Sequence, residues 1–81
     1  MELIGERVAV MAAFSSAYGL KPLKFKWTER IIPVKEITYS WVDMQGKSKV
    51  HHFSVTDGNS LYELSFNAGS LIWQLEKIET E

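Results

Sequence analysis

The side chains that could carry chemistry are few in this chain, and their spacing does not assemble a reaction centre. The two histidines, His51 and His52, are adjacent, and adjacent residues on a strand point to opposite faces of a sheet. The chain has no cysteine, so a thiolate metal site is not available. We therefore expect no metal site, with His51 packed or partly buried and His52 facing solvent.

The requirements for hydrolysis and for phosphate binding are also missing from the sequence. Serines are frequent, but none lies in a nucleophile elbow, and the acidic residues form no obvious pair. The five glycines are scattered over turns, and none begins a phosphate-binding loop. A chain of 81 residues has little room for a pocket that excludes water. The sequence therefore predicts no enzyme, no nucleotide and no cofactor.

A basic stretch, residues 21–35, remains as the candidate for binding. It holds five of the nine Lys and Arg residues and a single acid, Glu29. Basic side chains beside aromatic rings are typical of surfaces that follow a phosphate backbone and stack bases. Lysines that alternate with apolar residues are equally what an edge strand uses to block pairing, and alternation places them opposite the aromatic side chains. The candidate residues for binding nucleic acid or a partner are Lys24, Lys26, Trp27, Arg30, Lys35 and Tyr39.

Alternating apolar residues predict strands along the whole chain. The predicted strands cover residues 6–14, 22–27, 30–42, 48–56, 61–67 and 71–78. In residues 6–14 the alanines would also suit a helix, and the pattern of Val8 and Val10 favours the strand. The inward face of the third strand slips by one residue near Lys35 and Glu36, which predicts a bulge or bend.

These strands predict a single small all-β domain over residues 1–81, with residues 1–5 and 79–81 frayed. We expect an antiparallel meander of about six strands, curled into a bulged sheet or a small, partly open barrel. The expected interior consists of six aromatic side chains: Phe25, Trp27, Trp41, Phe53, Phe66 and Trp73. An open sheet edge would allow a dimer to form through an edge strand.

Charge and hydropathy limit the expected partners and location. The formal net charge is −1, so no overall field attracts nucleic acid or a membrane surface. The charges are nevertheless uneven, because residues 57–81 hold five acids and one base. The sequence shows no secretory signal and no apolar run long enough to span a membrane, so we expect a cytoplasmic protein.

The order of several short motifs resembles a family of small bacterial domains of unknown function. These motifs are Ile4-Gly5-Glu6-Arg7-Val8, Pro22-x-x-Phe25-x-Trp27-x-x-Arg30, Val34-x-Glu36-Ile37 with Trp41, Tyr62-Glu63-Leu64, and Trp73-x-Leu75-Glu76. Members of that family occur alone or appended to the C-terminal region of some Y-family translesion DNA polymerases. The family usually has a glycine before the arginine of the second hairpin, where this chain has Glu29.

The resemblance implies an association with DNA repair machinery and carries over no catalytic residue. Together with the absence of a reaction centre in the sequence, it leads us to expect a non-catalytic module that binds a protein partner or a second copy of itself. The alternative is a weak single-stranded nucleic-acid-binding domain that uses the basic stretch.

Overall fold

The computed structural model describes residues 1–80, and over that range the chain is all strand and turn with no helix. Eight strands follow one another along the chain. Their bounds are β1 Glu2–Arg7, β2 Ala9–Ser15, β3 Gly19–Trp27, β4 Arg30–Pro33, β5 Glu36–Gln45, β6 Ser48–Thr56, β7 Ser60–Asn67 and β8 Ile72–Thr80. They form a five-stranded sheet in the order β1-β8-β7-β6-β5 and a three-stranded sheet in the order β2-β3-β4. All pairings are antiparallel. The prediction of a small all-β domain is confirmed.

The structure has eight strands instead of six because two predicted strands are bent and divided between the sheets. The first of them leaves the five-stranded sheet at Val8, whose N–H still donates to Trp73 O at 3.1 Å. The third changes sheets after Pro33, and the Lys35 N–H donates to Thr56 O at 2.8 Å. Bends of this kind form the corners between packed sheets. The bend predicted near Lys35 is therefore present, and the sheets are not closed into a barrel.

The chain ends are paired further than the sequence predicted. We expected residues 1–5 to be frayed, whereas Glu2 pairs with Ile78 and Leu3 with Lys77. At the other end β8 continues to Thr80, which pairs with Ser60. Glu81, the last residue of the predicted frayed end, lies outside the described residues.

The core lies between the two sheets. Phe25 and Ile32 enter it from the three-stranded sheet, and Val55, Leu64 and Leu75 enter it from the five-stranded sheet. The ring of Phe25 meets the buried ring of Tyr62 edge to face at 5.3 Å between centroids. Aromatic pairs in this geometry stabilise a core by about 0.5–1.5 kcal/mol beyond the burial of their area.

The predicted aromatic interior is only partly correct. Phe25 and Phe53 are buried, and Trp27 and Trp73 are half-buried and pack against the core. Trp41 pairs with His52, whereas the core-facing residues of β6 are Phe53 and Val55, so alternation places Trp41 on the outer face. Phe66 is half-buried beside Trp73, with 4.9 Å between ring centroids. The register shift between Ile37 and Tyr39 adds one residue to β5, so Tyr39 and Trp41 face outwards although Ile37 packs against the core.

Candidate functional site

The structure places Lys24 and Lys26 on the outer face of the three-stranded sheet. Lys24 lies between Met11 and Pro33 on the neighbouring strands, and both lysines are exposed. The residue between them, Phe25, is 1% exposed and faces the core. The predicted alternation of lysines and apolar side chains is thus confirmed.

The other four candidate residues do not join these lysines on one surface. Trp27 and Arg30 pair across the β3–β4 turn, and Trp27 Nε1–H donates to Glu6 Oε2 at 3.3 Å. Lys35 lies at the corner before β5, and its side chain extends over the Gly58 turn. Tyr39 is exposed beside Trp41 on the other sheet, with 5.5 Å between ring centroids. The basic stretch and the exposed ring of Tyr39 therefore belong to different sheets.

The free edge of β5 is a second candidate surface, which sequence reasoning had left without residues. This strand of ten residues pairs only with β6, so its other edge has no neighbouring strand among residues 1–80. It contains no lysine, arginine, proline or glycine, and Tyr39, Val42 and Met44 are each more than half exposed. Proteins usually protect an edge strand with lysine, proline, a bulge or short length. The protecting features at this edge are a register shift between Ile37 and Tyr39 and two acidic residues, Glu36 and Asp43.

The other edge strands differ in protection. β1 carries Glu2, Glu6 and Arg7, and β4 is four residues long and ends at Pro33. β2 is seven residues long, has no charged residue and carries a register shift between Met11 and Ala12. β5, with ten residues, is the longest of the edge strands.

A groove that we call the seam runs along β5. It separates residues 18–20, at the start of β3, from residues 40–42, and encloses about 290 Å³. Its lining includes Leu20, Trp41, Val42 and the core residue Phe53. The seam thus joins an unpaired strand edge to apolar side chains.

The outer face of the five-stranded sheet carries a row of mostly polar side chains. Trp41, His52, Ser65 and Gln74 are direct partners across β5, β6, β7 and β8. The Trp41 and His52 rings stack at 4.9 Å with 3° between their planes. We expected His52 to face solvent, but its side chain is only 16% exposed, because it packs between Trp41 and its neighbours on this face.

His52 makes no strong polar contact. Its Nδ1 is buried without a hydrogen-bond partner among residues 1–80, and the nearest carboxylate oxygen, Glu63 Oε2, is 3.8 Å away. Glu63 Oε1 also lies 3.7 Å from Lys77 Nζ. The predicted partly buried state of His51 is confirmed, and its ring lies 6.4 Å from that of Phe66.

A bulge in β8 brings Glu76 to the same face. Glu63 pairs with Lys77 and the next residue, Leu64, pairs with Leu75, so Glu76 is the extra residue. Its Oε2 accepts a hydrogen bond of 2.8 Å from Ser65 Oγ. Ser65 is 4% exposed, although it belongs to the outward face of the sheet.

The outer-face pocket, as we name it, is a depression of about 200 Å³ beside these residues. Its lining includes Asp43, His52, Ser65, Gln74 and Glu76. Sequence reasoning missed this pocket, because Ser65 and Glu76 are 11 residues apart and meet only through the bulge. The one available signal was the alternation of Gln74 and Glu76 opposite Trp73 and Leu75.

Asp57 has the strongest local hydrogen bonding among the carboxylates. Its Oδ1 accepts the N–H groups of Asn59 and Ser60 at 2.9 Å each, and its Oδ2 accepts the Tyr62 hydroxyl at 2.9 Å. The Ser60 N–H is the main reason that the pKa of the Asp57 carboxyl lies below its ordinary value. Burial, followed by the bond to Asp57, raises the pKa of the Tyr62 phenol. These contacts fix the β6–β7 turn.

Within residues 1–80 no three His, Asp or Glu side chains converge as a metal-binding group, and no helix is long and apolar enough to cross a membrane. Comparison of the chain with family models, with curated proteins and with solved structures gives no match. The resemblance to the small bacterial family therefore stays a prediction.

Proposed function

We propose that this domain is a non-catalytic binding module that receives an extended segment of a protein partner along β5. The observation that carries the proposal is the ten-residue unpaired edge with Tyr39, Val42 and Met44 exposed. An extended peptide can add to such an edge through main-chain hydrogen bonds, and pockets beside the edge then select its side chains.

The seam can act as the pocket that selects side chains of the added segment. Alternate side chains of an added strand point to opposite faces, so one set would face the seam and the other would lie near Tyr39. Leu20, Val42 and Phe53 give the seam an apolar lining. We therefore expect a partner segment that alternates apolar residues with polar or aromatic ones.

The burial of Ser65 favours binding over hydrolysis at the outer-face pocket. Its hydroxyl donates to Glu76, a carboxylate that could take the proton, but only 4% of the residue is exposed. A serine nucleophile must reach its substrate, so Ser65 is better suited to holding Glu76 in position.

The family resemblance suggests the setting in which the partner would be found. The family expects a glycine at position 29, and Glu29 has a φ of 65°, in the region that favours glycine. Glu29 is therefore a departure from the family pattern at a position where glycine would fit, and the partner from DNA repair or replication rests on the rest of the resemblance alone. A second copy of the chain, paired through β5, is the other protein partner that the free edge can accept.

The experiment compares partner binding by three forms of the protein. Val42→Lys places a charge on the free edge, where natural proteins put lysine to prevent strand addition. Ile31→Lys is the matched control, because Ile31 is 58% exposed on β4 and Val42 is 56% exposed on β5. Affinity capture from the source cells and sedimentation velocity give the readouts for a foreign partner and for self-association.

If the partner binds along β5, wild type and Ile31→Lys should bind the same partner or self-associate equally, and Val42→Lys should lose this binding. Amide hydrogen exchange of the complex should slow at β5 and leave β4 unchanged. Equal binding by both lysine variants, or a wild type that remains monomeric and captures nothing, would refute it.

Only part of the surface predicted to bind nucleic acid lies together in the structure. Lys24 and Lys26 are exposed together, but their neighbours on the same face are the aliphatic side chains of Met11 and Ile31. Sequence-tolerant binding of single strands normally adds aromatic stacking to such a charged surface. Binding to phosphates alone would be weak and sensitive to salt.

A further inference from the structure

β5 itself has the pattern that we expect of the segment received at its free edge. Ser40 pairs with the core residue Phe53, so the even-numbered residues after the register shift lie on the core side of the sheet. They are Ser40, Val42 and Met44. The odd-numbered residues, which include Tyr39, Trp41 and Asp43, lie on the outer face. One side of β5 is therefore largely apolar, and the other side is aromatic and polar.

The regular part of β5 is long enough for two copies to pair. After the register shift, residues 39–45 run against β6 without interruption. A strand of this length extends about 24 Å, at about 3.4 Å per residue. The molecule measures 34, 27 and 22 Å along its principal axes. Pairing over residues 39–45 would therefore run along most of one side of the protein.

Two-fold symmetry leaves few registers for such a pair. An axis perpendicular to the sheet makes the two strands antiparallel and keeps their outer faces on the same side. The main-chain groups of alternate residues point to the free edge, and both members of an antiparallel pair have to be of the same kind. One residue must therefore pair with its own copy. Residues 39–45 overlap completely when this residue is Val42 and nearly completely when it is Trp41.

The charges of β5 are compatible with both registers. With the axis at Val42, Asp43 faces Trp41 of the second copy, and with the axis at Trp41 it faces Tyr39 of the second copy. Glu36 lies before the regular stretch and meets no acid in either register. Like charges directly opposite each other destabilise a strand pair, and an axis at Asp43 would create that arrangement. The strand also has no lysine or proline to prevent pairing.

We propose that the segment received at β5 is β5 of a second copy, in a symmetric dimer with its two-fold axis at Trp41 or Val42. This inference rests on the proposed binding along β5 and names the partner. The dimer joins two five-stranded sheets into one of ten strands. It also covers Val42 and Met44, which are each more than half exposed in the single chain.

Cysteine cross-linking locates the axis directly. The chain has no cysteine, so a single introduced cysteine can form a disulfide only between two copies. A residue that pairs with its own copy has a Cα separation of about 4.5–5.5 Å, which suits a disulfide. A residue one position from the axis lies about 8 Å from its own copy, which is too far. Mild oxidation should therefore cross-link one position far more than its neighbours.

The variants cover the regular stretch and one matched edge. We expect efficient dimer formation by either Trp41→Cys or Val42→Cys, and several-fold less by the other β5 variants, which are Tyr39→Cys, Ser40→Cys, Asp43→Cys and Met44→Cys. Ile31→Cys is the control, because Ile31 is 58% exposed on the β4 edge and Val42 is 56% exposed. The control should cross-link as little as the β5 positions away from the axis.

Wild type provides a second measurement that needs no substitution. Sedimentation velocity should show a dimer at micromolar protein, and Val42→Lys should be a monomer with an unchanged circular dichroism spectrum. Amide hydrogen exchange at residues 39–45 should slow as the protein concentration rises, whereas exchange at residues 30–33 should not change.

Three results would overturn the dimer: a monomeric wild type, cross-linking that is equal along β5 or equal in Ile31→Cys, and a dimer whose β5 amides gain no protection. The proposed function is tested separately by capture of a foreign partner. If wild type is monomeric and Val42→Lys still abolishes that capture, binding along β5 is supported and only the identity of the partner as a second copy is wrong.

Discussion

Replacing Glu29 by glycine should stabilise the protein, because the turn between β3 and β4 uses a backbone conformation that suits glycine. Trp27 pairs with Arg30, so Thr28 and Glu29 are the two central residues of the turn, with φ of 50° and 65°. Positive φ at both positions is the type I′ pattern, which Asn-Gly fits best. The Thr28 hydroxyl donates to Trp27 O at 2.7 Å, whereas Glu29 gains no such bond.

The expected gain follows from two opposing effects. An L-residue in the left-handed region costs roughly 1–2 kcal/mol, and glycine removes that cost. Glycine also makes the unfolded chain more flexible, which costs about 0.4–1 kcal/mol. The difference is a gain of about 0.5–1 kcal/mol in the free energy of unfolding, or about 2–8 °C in Tm for a domain of this size.

Urea and thermal unfolding, both followed by circular dichroism, measure this gain. Glu29→Gln is the control for the charge and should change stability little. Gly46→Ala is the reverse experiment: φ is 63° and nothing lies within 4 Å of the added methyl group, so the same two backbone effects should appear with opposite sign, as a loss of about 0.5–1 kcal/mol. If Glu29→Gly is neutral or destabilising while Gly46→Ala is destabilising, the turn is not strained at Glu29 and the reasoning fails.

Three further changes test other parts of the structure. Asp57→Asn should cost about 1–3 kcal/mol at neutral pH, because it weakens the hydrogen bonds to the turn and to Tyr62. Since the pKa of Asp57 is lowered in the folded protein, the carboxylate stabilises the fold above the ordinary carboxyl pKa, and this contribution is lost as pH falls through the folded pKa. The difference in stability from wild type should therefore shrink below about pH 4, and a difference that stays constant with pH would contradict this. Leu71→Gly should raise stability by about 0.5–1 kcal/mol in urea unfolding, because Leu71 has a φ of 61° and a largely exposed side chain; a loss would show that its apolar contacts matter more. The double change Lys24→Glu and Lys26→Glu should leave partner binding at β5 unchanged, and fluorescence anisotropy with a short single-stranded oligonucleotide tests the alternative, which requires salt-sensitive binding by wild type and its loss in the variant.

The strands themselves could be predicted because their signals are local. Residues 48–56 were predicted with the bounds of β6, since the alternation of Phe53 and Val55 is bounded by turns on both sides. The sequence indicated the division of residues 30–42 into β4 and β5, because the alternation of apolar residues shifts by one position near Lys35. No local pattern indicates that the two parts join different sheets, because sheet membership depends on pairing with distant strands.

The candidate sites were harder to predict for the same reason. The basic stretch is contiguous in sequence, yet the bend separates Lys24 from Tyr39. The outer-face pocket combines Asp43, His52, Ser65 and Glu76 from four strands, and the register of three strand pairs has to be known before these residues can be grouped. A shift of one residue in any pairing would move a whole strand's side chains to the opposite face.

The corner at Lys35 also explains why one edge of β5 has no neighbouring strand among residues 1–80. After Pro33 the chain passes to the five-stranded sheet, where β5 pairs with β6 on one side, whereas β4 stays beside β3. Because β4 ends at Pro33, the part of β3 before Lys24 has no partner on that side, and β5 is paired only with β6. The Leu23 carbonyl is satisfied there by the Val34 N–H at 3.0 Å, and beyond that bond the seam opens. The same bend that divides the predicted third strand therefore produces both the free edge and the groove beside it, which is why we place the partner at β5 rather than at the basic stretch.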